Sequence, residues 1–167
     1  MADYYTHFSF VLELPDEYAI DYAIGLAALG ADLYSWSEDD RNTSERDFPN
    51  ELKDCLDDWS FEVDRNEKGI WIHSDCSGVD AACDFVQHLL AKFGIKEPVT
   101  FEWANTCGKP RLDAYGGGAV IITDTRIKSM TTFQWVSNEV ELMTKRKTAS
   151  QVKRSGTANE LNLKLVS

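Results

Sequence analysis

No apolar run in this sequence approaches the ~18 residues that cross a bilayer, so no membrane-spanning segment is expected. The opening Met1-Ala-Asp-Tyr-Tyr lacks a basic stretch followed by an apolar one, so no secretory signal is expected either. Cysteine is sparse and scattered, at Cys55, Cys76, Cys83 and Cys107. With 167 residues the chain can bury a core without covalent staples, and reduced thiols in a cytoplasm are the expectation. No cysteine or histidine pair has the close spacing of a zinc site. Cys76 and Cys83 share a helical face, with His73, His88 and Cys107 as the further donors, which is a weak signal. Phosphate-binding and EF-hand loop signatures are absent as well. No metal, no cofactor and no catalytic constellation is expected.

Basic residues are scarce where acidic ones are dense. Residues 1–66 carry 17 acidic and 4 basic side chains, a balance of −13, against −3 for residues 67–142 and +5 for residues 143–167. Such a field repels phosphate, so direct DNA binding by the body of the protein is not expected, whereas a basic protein surface is a natural partner. The apolar share of 43% and the aromatic share of 11% are those of a chain that packs a core.

Alternation of apolar and polar residues marks strands at His7–Leu14, Trp59–Asp64, Ile70–Ser74, Val99–Ala104 and Ala119–Thr123, with a last short one at Arg126–Met130. Arg65–Gly69 reads as the turn of a hairpin. Helical spacing appears from Tyr18 to about Leu33, weakened by Gly25 and Gly30. It recurs from Val79 to Phe93, where Asp75 or Ser77 is the expected cap and Gly94 the expected stop. A further helix carrying Phe133, Val136, Val140 and Met143 is expected after Thr131 or Thr132. The order β-α-β-β-α-β predicts an α+β fold of the ferredoxin-like split β-α-β kind: an antiparallel sheet with two helices on one face, an appended hairpin and a C-terminal helix. A different sheet order is the rival. One domain over residues 1–143 and a basic tail over 144–167 complete the expectation.

Two stretches invite a functional reading. The first is the charged loop over residues 35–50, with Trp36, Glu38, Asp39 and Asp40, followed by Asp54, Asp57 and Asp58. A solvated face is the plain explanation. The functional one is an acidic docking surface that imitates nucleic acid, with Trp36, Phe48 and Trp59 as anchors. The second is Phe101–Ala119, which gathers Cys107, Lys109, Arg111, Asp113 and three glycines, Gly116, Gly117 and Gly118. Glycine backbone beside two cations can hold an anion or nucleotide, and a cation lowers a thiol's pKa. The plain alternative is that the glycines let a crowded strand begin. Cys76, just before a helix, is a second thiol that the helix dipole would favour as thiolate, although an incidental position is the simpler account. The run FEWANTCGKPR…AYGGGAVIIT resembles a block in a group of small bacterial and mobile-element proteins. The resemblance covers about residues 59–124 and implies no activity.

The expected function is a non-catalytic, cytoplasmic interaction protein. Its sharpest form is a phage- or plasmid-encoded inhibitor, such as an anti-CRISPR protein, of a host nuclease or nucleic-acid-binding complex. The alternative is a small enzyme or anion-binding protein using the 102–118 loop.

Overall fold

The computed structural model describes residues 3–35, 47–109, 111 and 114–146. The elements run β1 (Tyr4–Glu13), α1 (Glu17–Ser35), a 3-10 segment (Asn50–Asp58), β2 (Glu62–Asn66), β3 (Gly69–Ser74), α2 (Val79–Phe93), β4 (Val99–Cys107), β5 (Gly116–Ile122) and β6 (Ile127–Thr131). The protein is α+β, with a six-stranded sheet ordered β2-β3-β1-β4-β5-β6. The β1–β3, β1–β4, β2–β3 and β4–β5 ladders are antiparallel.

Alternation along the strands decides which face is covered. Phe8, Leu12, Ile70, Ile72, Phe101, Val120 and Ile122 are buried in one cluster with the apolar sides of α1 and α2. Their neighbours Ser9, Val11, Trp71, Glu102 and Ile121 are exposed on the other face. Phe10 and Phe101 stack at 4.3 Å between ring centroids, joining β1 to β4. Trp59, only 2% exposed, sits at the centre, edge-on to Phe48 and Phe85 and tilted against Phe61. Its indole N–H donates to the Ala27 carbonyl at 3.3 Å.

Gly30 of α1 is where the ring lies: a methyl there would come within 2.3 Å of Trp59 Cε2. Its absence of a side chain is a packing requirement as well as a helix weakness. Phe48, at 3% exposure, and Trp59 are therefore core residues, which overturns their expected role as docking anchors. Trp36 lies outside the described residues.

Helix α2 spans the expected residues and stops at Gly94, whose φ is 65°. Its N-cap is Gly78, with no side-chain cap, which corrects the expectation of Asp75 or Ser77. The Ser77 hydroxyl is taken up by Ser60 at 2.5 Å instead.

The chain divides into two compact units, Met1–Met130 and Thr131–Ser167. In the second, α3 covers residues 132–146. Thr131 Oγ1 accepts from the Gln134 N–H at 3.1 Å, and Gln134 Oε1 accepts from the Thr131 N–H at 3.0 Å, a reciprocal capping box. The residues expected as this helix's apolar stripe, Phe133, Val136, Val140 and Met143, are exposed. Residues 147–167 of the expected basic tail lie outside the described residues.

Candidate functional site

Three regions carry titratable or reactive groups. The first is built where the 3-10 segment meets α2. Leu52 and Leu56, four apart, are buried and pin the segment down, which turns Asp54 and Asp57 outward. Asp58, half-buried, lies near Asp80, and Asp80 near Asp84, both on α2. Burial, then the Asp80 charge, pushes the Asp58 carboxyl up, against hydrogen bonds from Gly78 N–H and Ser77. Burial, then Asp80, pushes the Asp84 carboxyl up as well. The thiols beneath share that field. Cys55 is pushed up to about 12 by burial and then Asp84, and Cys83 to about 12 by burial and then Asp80. Both are inert thiols at neutral pH. Asp54, Asp57 and Asp58 of the 3-10 segment thus join Asp80 and Asp84 of α2 in an acidic ridge. Among the other described acids, Glu17 and Asp21 pair with Arg65, Glu13 with Lys68, and Asp124 with Lys96. Trp36, Glu38, Asp39 and Asp40 lie outside the described residues.

Behind the ridge, His88 links three elements. Its Nδ1 is 2.9 Å from Glu51 and its Nε2 2.8 Å from the Tyr22 hydroxyl. With Nδ1–H donating to the carboxylate, Nε2 is the acceptor for the hydrogen bond donated by the Tyr22 hydroxyl. Burial, then Glu51, pushes the Tyr22 hydroxyl up, so this Glu–His–Tyr chain is not an activated nucleophile. It fastens α1 and the 3-10 segment to α2. His88→Ala removes both bonds and strands a half-buried hydroxyl. The expected loss is about 1–2 kcal/mol, read from the denaturant midpoint.

The second region is the 102–118 stretch. Gly116, Gly117 and Gly118 do not form a turn: they open β5 opposite Asn105, Ala104 and Trp103. A methyl on Gly117 would lie 2.1 Å from the Trp103 carbonyl oxygen, and one on Gly118 2.3 Å from the Trp103 ring. Close packing on β4 explains both. Cys107 is half-buried at the end of β4, opposite Tyr4. Lys109 is exposed, and Arg111 donates to the Tyr4 hydroxyl at 2.9 Å. Asp113 lies outside the described residues. Three open depressions among the described residues are lined by Leu12, Pro15 and Val99, by Glu51, His88 and Lys92, and by His7, Glu62 and His73. None of these three includes Cys107, Lys109, Arg111 or the glycines. Cys76 is exposed, and a hydrogen bond to Asp75 raises its pKa, the reverse of the expected dipole effect.

The third region was not anticipated. On the open face of the sheet, β2 and β3 bring the carboxylates of Glu62 and Asp64 to the imidazole of His73, with one donor atom of each within 4.8 Å of the others. His73 Nε2 is 3.0 Å from Asp64 Oδ2. The Trp71 ring stacks on the imidazole at 3.8 Å, and its indole N–H donates to Ser9 Oγ at 2.8 Å.

No family model matches the chain, and no curated protein or solved structure matches it. Among the described residues, no helix is long and apolar enough to cross a membrane.

Proposed function

We propose that this is a non-catalytic interaction protein that presents the ridge of Asp54, Asp57, Asp58, Asp80 and Asp84 to a basic protein surface. One observation carries the reading: Asp58 and Asp84 are held half-buried beside Asp80, with their carboxyls pushed above the ordinary range. Like charges kept together cost folding free energy, and a basic partner relieves that cost on docking. In its sharpest form the protein is a phage- or plasmid-encoded inhibitor whose carboxylates stand in for nucleic-acid phosphates. The target would be a host nuclease or nucleic-acid-binding complex, reached in a cytoplasm. Trp36, Glu38, Asp39 and Asp40, outside the described residues, are proposed partner contacts on the strength of the sequence alone. We further propose that the sheet order β2-β3-β1-β4, with α1 and α2 over one face, is the ferredoxin-like split β-α-β arrangement, with β5 and β6 added at one edge. The glycines' packing on Trp103 removes the main support for an anion site at 102–118.

Two experiments test the ridge. Because burial and Asp80 raise the Asp84 carboxyl, the folded chain holds that proton to higher pH than the unfolded one. Stability therefore falls as pH rises from the unfolded carboxylate range through the folded value. Asp84→Asn removes this penalty: the thermal midpoint at neutral pH rises by ~2 °C, and the gain vanishes in acid, below about pH 3.5. The second experiment is capture from a host extract. The native chain retains a partner at low salt and releases it at high salt, and Asp54→Asn/Asp57→Asn/Asp84→Asn weakens capture about tenfold. A partner bound equally well by the triple variant, or indifferent to salt, rules the ridge out.

A further inference from the structure

The open face of the sheet holds chemistry that the acidic ridge does not use. Glu62 and Asp64 are two apart on β2, so both side chains leave the strand on the same face. The antiparallel register puts His73 of β3 directly opposite Glu62, and Trp71 opposite Asp64. Two carboxylates and an imidazole therefore converge, with one nitrogen and two oxygen donors within 4.8 Å of one another. The cluster is more than an accumulation of acids. An imidazole nitrogen is a borderline ligand that suits zinc, copper and nickel, whereas all-carboxylate clusters suit magnesium and calcium.

A metal with bonds of about 2.0–2.1 Å needs its donors about 3.0–3.4 Å apart. His73 Nε2 and Asp64 Oδ2 already stand 3.0 Å apart. Glu62 is exposed and closes the remainder by rotating its side chain. The imidazole is the anchored member: only 21% of its side chain is exposed, and the stacked Trp71, itself tied to Ser9, holds the plane of the ring. Glu62 and His73 also line an open depression with His7, Ser9, Ser74 and Asp75. The side of the cluster away from the strands thus faces solvent, leaving room for water on the ion.

We propose that Glu62, Asp64 and His73 bind one divalent first-row transition-metal cation of the zinc class, with water completing its coordination. The site is independent of the acidic ridge, and either can fail without the other.

The test uses the full chain, reduced and stripped with chelator. Calorimetric titration with Zn2+ is expected to show one saturable equivalent, reduced at least tenfold in affinity by His73→Gln and by Asp64→Asn. Both positions lie on the open face outside the hydrophobic core, so the variants should keep the native thermal transition. Glu62→Gln weakens binding less, because its carboxylate must swing in. Cu2+ titration is expected to quench tryptophan emission through the stacked ring, and Trp71→Phe should abolish most of that quenching while leaving the Zn2+ equivalent in place. Two substitutions serve as controls: His7→Gln, on the same face, and Cys76→Ser, the exposed thiol nearby in sequence, should both leave binding unchanged. The proposal is overturned if no saturable equivalent appears, if His73→Gln binds as the native chain does, or if Cys76→Ser abolishes the signal.

Discussion

Trp59→Ala is expected to lower the unfolding free energy by about 3–5 kcal/mol, among the largest effects of any single truncation here. Three aromatic neighbours, Phe48, Phe61 and Phe85, lose their common contact. The Ala27 carbonyl loses its indole donor in a site from which water is excluded. The same seat can be blocked from the other side. Gly30→Ala drives a methyl to 2.3 Å from the ring, which is buried and packed against Phe48, Phe61 and Phe85 and so has little freedom to shift. The expected loss is about 1–3 kcal/mol. Gly25, on the same helix, has nothing within 4 Å of an added methyl. There alanine is expected to gain about 0.5–1 kcal/mol through the unfolded chain and helix propensity. Urea midpoints of the three variants, with unchanged slopes, check the set. Equal effects of alanine at positions 25 and 30 would mean that Trp59 is not seated against α1.

The second large effect is expected at Gly117. Its φ is +153°, and a methyl would meet the Trp103 carbonyl oxygen at 2.1 Å. That oxygen belongs to the backbone of the neighbouring strand, so relief requires β4 and β5 to separate. Gly117→Ala is expected to cost at least about 3 kcal/mol and to loosen the pairing of β4 with β5. Gly108, in the same stretch of sequence, is the contrast. An added methyl finds only ordinary contacts, at 3.8 Å and beyond, and Gly108→Ala should stay within about 0.5 kcal/mol of the native chain. Thermal unfolding followed by tryptophan emission reports both. A harmless Gly117→Ala would return the glycine run to the functional candidates.

Local pattern made much of the fold legible. The stripe Ala82, Phe85, Val86, Leu89, Leu90 and Phe93, ended by Gly94, placed α2 to the residue, because a one-sided helix that buries its stripe obeys its own periodicity. The hairpin was legible from its turn, although β2 begins at Glu62 and not at Trp59. Trp59 and Phe61 spend their apolar surface in the core ahead of the strand. The Glu62–Asp64–His73 cluster was within reach of that same reading. A hairpin closed between Asn66 and Gly69 puts residue 62 opposite 73 and 64 opposite 71. The cluster's three donors have no metal-site spacing along one segment and meet only across the register of the hairpin. Glu51, His88 and Tyr22 offered no such route, since their separations in sequence are set only by how α1, the 3-10 segment and α2 pack.

The sequence by itself determined the α+β class, the alternation that buries one face of each strand, the extent of α2 and the imbalance of charge, because each depends on near neighbours in the chain or on simple sums. Tertiary structure alone decided what each special residue is for. It made Trp59 a core residue fitted to Gly30, gave Gly117 and Gly118 to Trp103, and brought Asp80 beside Asp58. Sidedness and propensity are read over a few residues. Steric fit and electrostatic neighbourhood depend on atoms that only folding brings within a few ångströms of one another.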